Sequence, residues 1–217
     1  MKTLLIGMMV ALLLVGCGEE ANKKAVVDKW AELEANPEPY GGAEVLAEIK
    51  EAKESGNTSL NLSSNQISDI SPLSGLTNLK KLDLSENQIS DISPLAGLTN
   101  LESLGLFDNK ITDLSTLAGL MNLAALQLQN NEITDVSPLK GLTKLKGLSL
   151  SGNRISNISP LKGLRNLRYL SLDGHGISDA AALKGLTNLK TLWLRGTPTK
   201  DWMAMLKKAL PDCKIDF

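Results

Sequence analysis

Residues that carry chemistry are scarce in this 217-residue chain, which has one histidine, two cysteines, two tyrosines, two phenylalanines and three tryptophans. Cys17 and Cys213 are too few and too far apart for a disulfide framework, and with a single histidine they do not make a zinc site. An aromatic content of 3% excludes a core of large rings and points instead to one repeated aliphatic layer dominated by leucine. No glycine-rich phosphate loop follows a strand pattern, and neither G-x-S-x-G nor H-E-x-x-H occurs. The sequence is therefore not expected to be that of an enzyme, and no cofactor, metal or nucleic acid is expected. What is present, 42% hydrophobic and 22% charged residues with a net charge of −1, is ordinary for a folded protein with a substantial core.

The first residues, MKTLLIGMMVALLLVGC, carry one basic residue, Lys2, and an apolar run to Val15 that is shorter than the roughly 20 residues of a membrane span. They read as a signal peptide over residues 1–16. The run ends in Leu14-Val15-Gly16-Cys17, which resembles the bacterial lipobox, and the resemblance implies lipid attachment at Cys17. Several acyl chains at about 0.8 kcal/mol per buried methylene make a stable anchor. Residues 17–22 are then a linker. Gly18 follows the cysteine in place of the Asp that often marks inner-membrane retention in lipoproteins, so an outer-membrane or surface location is open.

Rows of 22 residues bring asparagines into one column at Asn65, Asn87, Asn109, Asn131 and Asn153, continued by His175 and Thr197. Around each runs L-x-x-L-x-L-x-x-N-x-I, as in Leu79, Leu82, Leu84, Asn87 and Ile89. This pattern resembles the leucine-rich repeat, and its 22-residue form with ISDISPL is similar to the bacterial internalin type. The resemblance runs from about Asn57 to Phe217 in seven copies. It implies an α/β solenoid, with parallel strands on a concave face and short 3₁₀ turns on the convex face. The residues agree independently of the family. Leu82-x-Leu84 alternates with the period of a strand buried on one face. Ser-Pro recurs at Ser71-Pro72, Ser93-Pro94, Ser137-Pro138 and Ser159-Pro160, which suits a serine cap followed by proline at the first helical position. The Asn amide, donor and acceptor at once, suits backbone groups that a parallel ladder leaves unpaired. His175 is expected to do the same work. The aspartates of the repeat, Asp69, Asp91, Asp113 and Asp135, read as caps of the convex turn.

The ends depart from the pattern as caps do. Helical spacing over Lys23 to Glu34 and Ala43 to Ser55, around the break NPEPYGG, predicts a helical N-terminal cap over residues 23–56. The repeats occupy 57–209. At the far end DWMAMLKKAL reads as a helix. Residues 210–217 read as a cap strand in which Leu210, Cys213 and Ile215 take the three strand leucine positions one residue early, with Cys213 a buried small hydrophobe.

Specificity is expected on outward strand positions, which the core does not constrain. Three columns follow, and Phe107, Tyr169 and Trp193 fall in them. Exposed aromatic and arginine side chains on a rigid surface are the usual anchors of recognition, so Tyr169, Trp193, Asp173, Arg195 and Phe107 are the candidate contacts for a protein or peptide. A competing reading puts Tyr169 and Trp193 under the C-terminal cap. Eight strands at about 4.8 Å spacing offer several hundred Å² of face, which suits a weak or peptide-like contact to a monomer. Charge is divided along the chain: Glu44 to Asp135 holds five basic and thirteen acidic residues, Val136 to Arg195 ten basic and two acidic. Lys140, Lys162 and Lys184 form one column, and Lys146, Arg168 and Lys190 another. They read first as solvated edges and second as a site for an anionic glycan or lipopolysaccharide. A structural spacer or subunit is the third reading.

Overall fold

The computed structural model describes residues 30–196 and 199–217. The expected signal peptide, Cys17, the linker and the start of the first cap helix lie outside the described residues, as does Thr197. The chain divides into two units, Met1–Glu38 and Pro39–Phe217. Within the first, residues 30–35 are helical, and Trp30 and Leu33 are buried.

The second unit opens with helix α1, Ala43–Ser55, whose buried face is Val45, Leu46, Ile49 and Ala52. This helix ends where Gly56 turns left-handed and donates its N–H to the Ala52 carbonyl. It packs beside the 3₁₀ turn of the first coil, Ser71–Leu73. Gly41 makes the approach possible: at φ 92° a β-carbon there would lie 2.8 Å from Ile67 Cγ1 and 2.9 Å from the Asn65 carbonyl oxygen. The Pro39 carbonyl then accepts the N–H groups of Ser68 and Asp69.

Eight three-residue strands follow in one parallel sheet in sequence order, from β1 (Ser59–Asn61) through β2 (Lys81–Asp83), β3 (Ser103–Gly105), β4 (Ala125–Gln127), β5 (Gly147–Ser149), β6 (Tyr169–Ser171) and β7 (Thr191–Trp193) to β8 (Lys214–Asp216). The middle residue of each strand is a leucine, or Ile215 in the last, stacked on its neighbour in register. The other side of each coil is a short 3₁₀ turn, from Ser71–Leu73 to Ala181–Gly185. Between them lies the aliphatic layer. In one coil Leu82, Leu84, Ile89, Ile92, Leu95, Leu98 and Leu101 are all at most 2% exposed. At about 25 cal/mol per Å² of apolar area, this repeated burial is the main driving term.

Two readings are corrected in detail. The turns are capped by the aspartate of the repeat and not by the serine: the Asp69, Asp91, Asp113 and Asp135 carboxylates accept the N–H of the residue two later at 2.7–2.8 Å. The serine is the first residue of the turn, and at Ser93, Ser115 and Ser137 its hydroxyl donates to the same carboxylate. These bonds favour the ionised form, and they hold the Asp113 and Asp135 carboxyls below their ordinary range. Asn157 and Asp179 repeat the cap. At the C-terminus, helix α2 (Lys200–Ala209), capped by the Thr199 hydroxyl, replaces the 3₁₀ turn. Its extra length shifts the last register. Ile215 stacks on Leu192, 23 residues away, so the cap strand does not run one residue early. Cys213 therefore precedes the strand, half-buried, with its thiol pushed up by burial.

The asparagine column does what its chemistry suggests. In the Asn131 coil, Oδ1 accepts the Ile111 N–H at 2.9 Å, while Nδ2 donates to the Leu106 carbonyl of an earlier coil at 2.9 Å and to Leu128 and Gln129 of its own. His175, 2% exposed, reproduces the bonds between coils: Nδ1 accepts the Ile155 N–H at 3.3 Å and Nε2 donates to the Leu150 carbonyl at 2.8 Å. Each buried group orphaned by truncation costs about 1–3 kcal/mol. Asn131→Ala is accordingly expected to lose about 3 kcal/mol or more in urea unfolding, against about 1 kcal/mol for Asn65→Ala, whose side chain donates only to Ser63. Equal losses at both positions would refute the ladder.

Burial lowers the His175 pKa from its ordinary 6.5, with the Leu150 and Asn153 backbone and Asp173 opposing. Protonation places a second donor against the Ile155 N–H and so favours the unfolded chain. Stability from this group is full above about pH 6.5 and falls as the solution becomes more acidic. His175→Asn should flatten the loss of unfolding midpoint between pH 7.5 and pH 5. An unchanged slope would place the acid sensitivity elsewhere.

Candidate recognition surface

The outward residues of each strand stand on the face of the sheet that the core does not use. Along it, the first residues of β4 to β7 are Ala125, Gly147, Tyr169 and Thr191, and the third residues are Gln127, Ser149, Ser171 and Trp193. Short side chains on β4 and β5 beside two rings on β6 and β7 leave a hollow of about 200 Å³. Its floor is Ala125, Gly147, Ser149 and Ser171, and its wall is Tyr169 and Trp193. Tyr169 is 53% exposed, so the C-terminal cap does not cover it, and Trp193 is half-buried on the strand next to the cap strand β8. One floor residue is held by side-chain bonds: the Ser171 hydroxyl is hydrogen-bonded to that of Ser151, which also accepts the Asp173 N–H at 3.0 Å.

Asp173 and Arg195 lie beyond the strand ends, outside the lining of this hollow. Asp173 Oδ1 accepts the Arg195 N–H at 2.6 Å, and the Arg195 guanidinium pairs with the Asp216 carboxylate of β8. That hydrogen-bonded pairing raises the Arg195 pKa and lowers that of Asp216. Together the two residues tie the coil that carries Trp193 to its neighbours on both sides. Phe107 is separate. It follows β3, three strands before Tyr169, and is half-buried between Ser85 and Gln129 of the same column. The Ser85 hydroxyl and the Gln129 carbonyl oxygen, on the coils either side of it, are buried without a hydrogen-bond partner.

The cation columns separate. Lys140, Lys162 and Lys184 sit in the last turn of three successive 3₁₀ segments, where a positive charge complements the exposed carbonyls. Lys146, Arg168 and Lys190 each precede a strand, and Lys146 lines a groove on that edge. The hollow itself escaped the reading of the sequence because it is made by missing side chains. The run Ala125, Gly147, Ser149, Ser171 beside Tyr169 and Trp193 was the available signal.

The leucine-rich repeat profile described as "Leucine Rich repeats (2 copies)" matches residues 58–97, 99–141, 122–163 and 143–185. Among solved structures, the chain is similar to the internalin InlF of Listeria monocytogenes, with 33% identity and a TM-score of 0.69 over 77% of this chain and 48% of that one. It is also similar to the internalin InlC2 of the same organism, with 39% identity and a TM-score of 0.58 over 67% of this chain and 74% of that one. A leucine-rich repeat protein of Leptospira interrogans matches at 28% identity and a TM-score of 0.62 over 74% of this chain and 48% of that one. The chain thus spans about half the length of the first and third of these proteins. No curated protein matches it significantly.

Proposed function

Because the chain belongs to the leucine-rich repeat family, we propose that it is a non-catalytic recognition module that binds a protein or peptide on its strand face, acting as a monomer held at a bacterial envelope. The observation that carries this reading is the hollow on β4 to β7, where two aromatic rings stand beside a floor of small side chains on a hydrogen-bonded sheet. A rigid pocket walled by Tyr and Trp gains contact area without ordering flexible groups. A cavity of about 200 Å³ takes one side chain of a partner. Tyr169 and Trp193 are its direct contacts, Asp173 and Arg195 brace its far strand and form the rim, and Phe107 extends the face toward the N-terminal coils.

The six cations are not carried forward as one site, because Lys140, Lys162 and Lys184 lie on the 3₁₀ turns and the others on the strand edge. Envelope placement rests on the apolar leader and the Cys17 motif, together with the similarity to internalins. No helix among the described residues is long and apolar enough to cross a membrane.

A photocrosslinking residue at Ser149 is expected to capture a protein adduct in intact cells, and Tyr169→Ala and Trp193→Ala should each reduce that capture about tenfold or more. Undiminished capture by the double variant would sink the strand-face reading. For the anchor, a fatty-acid probe should label the wild-type chain and not Cys17→Ala; an unlabelled wild type would refute lipid attachment.

A further inference from the structure

A second concavity lies on the edge of the sheet, where the chain leaves each 3₁₀ turn and enters the next strand. It encloses about 560 Å³ across four coils, the size of a small-ligand site. Ala124 opens it. The same position holds Glu102 one coil before and Lys146 one coil after, so a methyl group stands where long side chains stand on either side.

The walls are amides, and each is anchored. Asn100, Asn122 and Asn166 each donate through Nδ2 to a backbone carbonyl of the previous coil, Thr77, Thr99 and Thr143, at 2.8–2.9 Å. One N–H of each amide therefore remains to donate into the groove, and so do the Oδ1 atoms of Asn100 and Asn166 to accept. In the coil between them the asparagine is replaced by Lys144, whose ammonium donates to Asn122 Oδ1 at 2.7 Å. Lys80 and Glu102 pair at 3.7 Å and cancel. Lys144 and Lys146 leave an excess of two positive charges.

This lining suits a particular ligand. Its one apolar side chain is Ala124, so the groove has no place to bury the side chains by which a peptide is recognised. Fixed amides that donate and accept at once match hydroxyl groups, which do the same. The coil spacing, about 4.8 Å between strands, is close to the length of one sugar unit, so the four coils that carry Asn100, Asn122, Lys144 and Asn166 meet four successive sugars. We propose that this groove binds a short acidic oligosaccharide, with Lys144 and Lys146 facing its carboxylates and Asn100, Asn122 and Asn166 its hydroxyls. The site is separate from the strand-face hollow and stands or falls without it.

The test is titration of the full chain with tetragalacturonate, maltotetraose, triglutamate and inorganic phosphate, read by the side-chain amide NMR signals of the three asparagines. Tetragalacturonate is expected to shift all three and to bind at least tenfold more tightly than the other probes. Lys144→Ala with Lys146→Ala should weaken it tenfold or more, and Ala124→Trp should abolish it while leaving circular dichroism unchanged. Lys144 and Lys146 are exposed, and Ala124 is half-buried with its methyl group lining the groove, so circular dichroism checks the fold of each variant. Comparable binding of phosphate or triglutamate would reduce the site to a charge patch and overturn the proposal. So would binding that survives Ala124→Trp, or no shift at any of the three asparagines.

Discussion

A parallel stack of short coils has a problem that its leucines cannot solve: at each turn off the strand, backbone N–H and C=O groups are buried with no ladder partner. The asparagine column is the solution, and the rest of the architecture depends on it. At Asn87, Asn109, Asn131 and Asn153 the side-chain amide joins its own coil to the one before it, accepting an N–H 20 residues back and donating to carbonyls 25 and 3 residues back, as Asn153 does to Leu128 and Leu150. The bonds are directional, so they set the register of the coils, whereas the leucine layer alone would tolerate sliding. Leucine supplies most of the burial energy and asparagine the alignment. His175 shows what the column requires. Imidazole keeps the two bonds between coils and lacks the second donor, so the coil there is tied to its neighbour and less firmly to itself.

A second column follows from the first. To aim the amide inward, the residue before it turns left-handed in every coil: Ser64, Glu86, Asp108 and Asn130 at φ 51–61°, then Gly152, Gly174 and Gly196 at φ 71–96°. Residues with a β-carbon are strained there by about 1 kcal/mol, least for Asn and Asp. At Gly152 a β-carbon would stand 2.2 Å from Asn130 Oδ1, so a side chain there would require the exposed Asn130 side chain to move as well. The later coils are thus built with less local strain than the early ones, although the leucine pattern is the same throughout.

Most of this fold was legible because a repeat tests its own reading: a position assigned inward in one row must be inward in seven. The Leu and Asn columns and the 3₁₀ turns follow from that constraint, whereas helices α1 and α2 were read from the helical spacing of apolar residues in the caps. Legibility failed where it is absent. The aspartate cap was legible as a recurring letter, but the Ser-Pro pair suggested a serine cap beside it, because Asx capping by the aspartate two residues earlier leaves the same letters in the turn. The last strand was misaligned because helix α2 adds a residue that no other coil has, so Phe217 and not Ile215 follows Leu194 in its column. The candidate surfaces were legible only in part. Tyr169 and Trp193 announce themselves, but the hollow they wall is defined by Gly147 and Ala125, and small residues in a strand pattern read as nothing in particular. The edge groove was less visible still. Its asparagines recur with the repeat, so they look like scaffold.

That last point bears on how a solenoid divides its positions. A recurring residue is scaffold where its polar atoms are all engaged inside the coil, as with Asn131. It is available where one bond anchors it and the remaining atoms face solvent, as with Asn100 and Asn166. Both columns show the same letter at the same period, and the difference lies in burial: Asn131 is 7% exposed, whereas Asn166 is exposed. Periodicity by itself therefore does not separate structure from recognition. What breaks the period does: Ala124 in a column of long side chains, Lys144 in a column of asparagines, Gly147 beside Tyr169. Each interruption opens space or adds charge beside an otherwise regular wall, and a regular wall holds such a feature rigidly in place.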